Sequence, residues 1–224
     1  MRVMPRRVLL AAVVANSVLI VAGVFLVPAA VRSLEGLGII AADIGLQVAI
    51  AVVGLFGPVS LGRLGDAAGW CLAVGSAFAL AYLGLLLFDF AGHPLALSPY
   101  EFFVAAALAG SIPVALRRRR VISAVLAAAW SLVLGTLLWS TGLLVAAYSF
   151  WGTRGAHGFW LRDGALADFR RSGIHNLSVF LIQDLQGALF FHPFLSAVIG
   201  LSCGLAAAAV TLTAATAGQR LKPS

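Results

Sequence analysis

The chain has 224 residues, of which 62% are hydrophobic and only 10% charged. Soluble domains carry roughly 25% charged residues and about half apolar ones. This chain therefore cannot cover its own surface with polar groups, and lipid must be the solvent for much of it. The net charge of +7 does not point to a nucleic-acid partner, because the basic residues stand at the ends of apolar spans, where they set orientation in a membrane.

Crossing ~30 Å of hydrocarbon takes about 20 apolar residues in a helix. Residues 8–31 make the first such span, interrupted only by Asn16 and Ser17. Arg2, Arg6 and Arg7 precede it as they would a signal peptide, but the apolar run exceeds the ~7–15 residues of a signal core. It reads as a transmembrane helix. The second span, 37–56, holds Asp43 and Gln47 one helical turn apart, with Gly54 on the same face, and Gly57-Pro58 ends it. The third, 70–88, leads through Asp89 into a polar turn at His93-Pro94.

Ser98-Pro99-Tyr100-Glu101 is a capping-box pattern with proline at the first helical position. It opens a fourth span, 99–116, which Pro113 is expected to kink and Arg117–Arg120 to stop. The fifth span, 121–148, carries Trp130 and Trp139 and is long enough to tilt or to project beyond the bilayer. The last, 194–217, follows His192-Pro193 and bears Gly200, Gly204 and Ala208. That row of small residues invites another helix backbone to approach closely. Cys71 and Cys203 lie within spans and form no CxxC, so they read as buried small residues.

The segment 149–193 lacks a clean apolar span and holds His157, His175, His192, Asp163, Asp168 and Asp184. Within it, residues 176–191 are apolar enough to enter a membrane but carry Gln183, Asp184 and Gln186 at their centre. An aspartate at the bilayer centre costs ~2.5–3.5 kcal/mol on the translocon scale. The expectation is therefore a re-entrant or interfacial helix. Asn176-Leu177-Ser178 is also a glycosylation sequon.

The expected fold is an all-α, polytopic integral membrane protein, one transmembrane domain of six helices with the re-entrant or interfacial element before the last. With the N-terminus cytoplasmic, Arg2, Arg6, Arg7, Arg63, Arg117–Arg120, Arg220 and Lys222 fall inside, and Arg32, Arg154, Arg162, Arg170 and Arg171 outside. The positive-inside rule selects this orientation in the cell membrane, with both termini cytoplasmic. Arg170 and Arg171 are expected to pair locally with Asp163 or Asp168.

Under that topology all four histidines and five acids lie on the outer side, where they can solvate a loop, hold a proton or substrate, or ligate a metal. Their spacings match no zinc signature. Asp43 is the sharpest single residue, since a carboxylate within a span normally faces a cavity or a partner. Gln47 could hydrogen-bond it, and Asn16 could approach it.

Three functions fit. The first is a small transport or channel component whose pathway uses Asp43, Gln47, His175, Gln183, Asp184 and His192. The second is a non-catalytic subunit or scaffold packed through Gly200 and Gly204, in a homo-oligomer or with other membrane subunits. The third is a membrane-embedded enzyme using outer His and Asp residues, for which no nucleophile-and-base motif is present. No cofactor and no nucleic-acid partner is expected; the bilayer is the expected partner.

Overall fold

A computed structural model describes residues 4–32, 34–91, 93 and 99–220. The expected cap at Ser98 and the basic positions Arg2 and Lys222 lie outside them. The helices are α1 (Met4–Leu26), α2 (Leu34–Phe56), α3 (Leu61–Leu64), α4 (Ala67–Phe90), α5 (Pro99–Arg118), α6 (Val121–Ser149), α7 (Arg154–Arg162), α8 (Ala165–Ser172) and α9 (Leu177–Arg220), with a 3-10 turn at Pro28–Val31 after α1. Among the described residues there is no β-strand. Six helices are long and apolar enough to cross a membrane, and large apolar side chains such as Phe25, Leu80 and Val210 stand on the outside of the bundle. This is a helical membrane protein.

α6 is the hub. Its span is 72% buried, against 22% to 39% for the other five. It can be surrounded because small residues let neighbouring backbones close on it. A Cβ on Gly75 of α4 would stand 2.9 Å from the Gly135 nitrogen, and one on Gly200 of α9 would stand 2.6 Å from Ala129 Cα. On Gly204 it would stand 2.7 Å from Val125 Cα. Ser131 Oγ of α6 lies under Gly110 of α5.

The contacts also fix direction. α1 runs parallel to α6: Leu9 and Trp130 meet at Gly54, Asn16 bonds Leu137 and Leu19 bonds Tyr148. α4 is parallel too, since Tyr82 stacks on Trp139 and Phe90 on Phe150. α2, α5 and α9 run the other way. Met4, Arg117–Arg120 and Arg220 therefore share one end of the bundle, here the arginine end; α7 and α8 sit at the other, the cap end.

Pro113 lies inside α5 and has no N–H for the Ala109 carbonyl one turn back. Trp70 fills the gap from α4, its indole Nε1 donating to that carbonyl at 2.9 Å. Trp70→Phe keeps the ring and removes the donor. It is expected to cost about 0.5–1.5 kcal/mol, the net worth of one hydrogen bond. Thermal unfolding in detergent checks this: a midpoint equal to the parent's would show that the carbonyl is satisfied otherwise.

The main correction concerns residues 176–191. They form neither a re-entrant loop nor an interfacial helix set apart from the last span. They are the first part of α9, a single 44-residue helix of about 66 Å at 1.5 Å per residue. Pro193 is buried within it and does not end it. Asn176 marks its start, where its Oδ1 accepts a hydrogen bond from Val179 N at 3.2 Å, as an N-cap does. The costly polar side chains avoid lipid by turning inward: Gln183 and Gln186 are buried and Asp184 is half-buried.

Candidate functional site

Two polar regions flank the α6–α9 contact. The first is a cavity of about 280 Å³ toward the cap end, lined by residues of α4, α6, α7 and α9, with Asp163. Its deep wall is aromatic: Tyr82 stacks on Trp139 with centroids 4.9 Å apart, and Trp139 meets the His192 ring at 4.9 Å. Phe159 and Trp160 close the cap side, and Asp89, Asp163 and Asp184 contribute three carboxylates.

The cap is held in place by its own sequence. Thr153 caps α7, its Oγ1 accepting from Ala156 N at 3.2 Å. Phe159 stacks on Phe90 of α4 at 4.4 Å, and Trp160 meets the same ring edge-on. Arg162 Nε donates to Asp89 Oδ1 at 2.8 Å, and its Nη2 donates to the Asp89 carbonyl at 2.8 Å. Gly164 then turns the chain with φ +89°, a left-handed value that glycine adopts without a Cβ penalty. The turn leaves Asp163 on the cavity.

The charges do not cancel. Arg162 is committed to Asp89, and Arg171 pairs with Asp168 on the exposed face of α8. Among the described residues neither Asp163 nor Asp184 makes an ion pair. Partial burial at the cavity mouth, reinforced by the Asp89 and Asp168 charges, pushes the Asp163 carboxyl above the ordinary carboxylate range; the His192 ring opposes this. His192 is anchored through Nδ1 to the Ala188 carbonyl at 2.8 Å. A carbonyl only accepts, so Nδ1 carries the proton there and Nε2 is left for other contacts.

The second region is dry. On α2 the buried positions are Gly36, Asp43, Gln47, Ala51 and Gly54, one face at helical spacing. Asp43 and Gln47 are each 1% exposed, and both Asp43 oxygens and Gln47 Oε1 lack a hydrogen-bond partner. The hydrogen bond from Gln47 to Asp43 that their spacing allows is therefore not made. Asn16 is spent on α6: its Nδ2 donates to the Leu137 carbonyl at 3.1 Å and its Oδ1 accepts from Thr141 at 2.9 Å. Ser140 Oγ and the Gln186 amide are likewise buried without a partner.

Of the residues named from sequence, Asp184 and His192 thus meet at the cavity, while Gln183 lies beside Gly36 of α2. His175 is exposed ahead of α9 and is not among the cavity-lining residues. Asp43 and Gln47 belong to the dry region. Asp89 and Asp163 stand in the sequence only among the outer acids and not in the expected pathway, and Tyr82 and Trp139 were missed as site residues. The run of acid and aromatic residues around Trp160 was the available signal, but only the fold of α7 onto α4 brings it to Asp184. Among the described residues, no three or more of His, Cys, Asp and Glu converge closely enough to hold a metal ion. Comparison with known protein families, with characterised proteins and with solved structures finds no match for this chain.

Proposed function

We propose that this protein is a small transport component of the cell membrane that takes an organic cation into the aromatic cavity at the cap end, with the arginine end and both termini cytoplasmic. One observation carries the reading: Asp163 and Asp184, neither in an ion pair among the described residues, face one cavity walled by Tyr82, Trp139 and Trp160. Carboxylates supply charge for a cation, and indole and phenol faces attract it at close range. The carboxylates are spread around about 280 Å³, which suits a small organic amine better than a bare metal ion. The orientation rests on the charge bias, with Arg117–Arg120 held inside.

The test uses phenethylamine and its neutral analogue 2-phenylethanol, titrated by calorimetry against the full chain in detergent. The amine should bind and the alcohol should not. Asp184→Asn should weaken the amine at least about tenfold, a loss of ~1.4 kcal/mol. The pH sign follows from Asp163. A cation prefers the ionised carboxylate, whose proton is held above the ordinary range. Affinity should therefore rise with pH through that raised value, with a proton released on binding, and Asp163→Asn should flatten the rise. Equal binding of amine and alcohol, or an unaffected Asp184→Asn variant, would remove the proposal.

The scaffold reading loses one of its supports. Gly200 and Gly204 face α6 of the same chain, so that row is not offered to another subunit. The enzyme reading needs a histidine paired with a base, and His192 is bonded to a backbone carbonyl instead.

A further inference from the structure

The dry region has its own chemistry. Register sets its level in the bundle. Leu9, Gly54 and Trp130 meet at one level. Seven residues along each helix, about 10.5 Å toward the cap end, stand Asn16, Gln47 and Leu137, and the Asn16–Leu137 hydrogen bond shows that α1 and α6 keep step. Asp43 lies one turn further, at the level of Thr141. From the cap end, Gln183 packs beside Gly36, and Gln186 lies one turn inward from it. Asp43, Gln47, Ser140 and Gln186 therefore occupy adjoining levels on three helices.

Five oxygens there have no hydrogen-bond partner: both of Asp43, Oε1 of Gln47, Oγ of Ser140 and Oε1 of Gln186. Ser140 is fully buried, and the other three residues are each 1% exposed. A buried polar group without a partner costs free energy, and an unpaired buried charge costs far more. Protonating Asp43 would remove its charge, but its single O–H could serve only one of the other unpartnered oxygens.

We propose that this layer binds a dehydrated monovalent alkali cation, with Asp43 as the charged ligand and the oxygens of Gln47, Ser140 and Gln186 as neutral ones. Hard oxygen donors suit hard cations. One carboxylate among neutral groups balances a single positive charge, whereas a divalent ion would leave net charge buried. The site is separate from the cap-end cavity and does not depend on what that cavity binds.

The experiment is thermal unfolding of the purified full chain at constant ionic strength, with magnesium chloride, whose double charge the single carboxylate does not balance, replaced stepwise by NaCl, KCl or LiCl. A cation that binds only the folded state raises the midpoint in a saturable way. The expected result is a saturable rise of several degrees with at least one of the three salts. It should be absent in Asp43→Asn, reduced in Gln186→Leu and retained in Asp184→Asn. Binding of radioactive sodium to the wild-type chain gives a second readout that requires no variant to fold. Coincident curves in all four salts would overturn the proposal and mark a structural polar layer. So would a response that survives in Asp43→Asn. Neither outcome bears on amine binding at the cavity, which Asp184→Asn reports separately.

Discussion

Gly200→Leu is expected to disrupt the bundle severely, and more than Trp70→Phe does. At Gly200 even a Cβ would stand 2.6 Å from Ala129 Cα and 2.9 Å from its nitrogen. Those atoms belong to the backbone of the central helix and cannot swing aside, so leucine must push α9 off α6. Overpacking typically costs ~1–3 kcal/mol; with backbone on the opposing side, the upper end of that range or beyond is expected. Gly204→Leu should behave similarly, since its Cβ would stand 2.7 Å from Val125 Cα. Val210 is 67% exposed on the same helix, so Val210→Leu is the control and should be close to neutral. Thermal unfolding in one detergent compares the three. Equal midpoints would mean that α9 packs on α6 by another face.

Asp43→Asn is expected to act in the opposite direction and to raise stability in sodium-, potassium- and lithium-free buffer. The substitution keeps shape while removing a carboxylate that has no partner on either oxygen. The new amide can donate to an acceptor such as Gln47 Oε1, itself unpartnered. Relief of an unsatisfied buried charged group is worth about 1–3 kcal/mol or more. Unfolding midpoints in magnesium chloride decide the matter. A variant less stable than the parent there would show that the carboxylate has a stabilising partner in solution.

The six long helices were legible because hydropathy over 20 residues reports the solvent directly. The join at Pro193 was not. Placing a helix break there assumed that Gln183, Asp184 and Gln186 would face lipid, whose cost depends on which way a side chain points. A single chain without its neighbours gives no direction. The structure answers that α2 covers one flank of α9 and the cavity lies along the other. Proline in a helix interior removes one backbone hydrogen bond, a local loss that burial against α6 outweighs.

The cavity was half legible for a related reason. Asp184 and His192 are eight residues apart on one helix, and their spacing could be read. Asp89 and Asp163 reach the same space only because Phe90, Phe159 and Trp160 pack α7 onto α4. That contact joins stretches some 70 residues apart, and no local pattern announces it.

The length of α9 has a mechanical consequence. Gln186, on the flank toward the dry layer, and Asp184, on the flank toward the cavity, both belong to the helical stretch before Leu189. They ride on one stiff rod. Any tilt or slide of that rod shifts both flanks by the same displacement. Its compliant joint is at Leu189–Pro193, where the backbone bond is missing, and a bend at that joint would carry Asp184 and Gln186 together past the walls that the other helices supply.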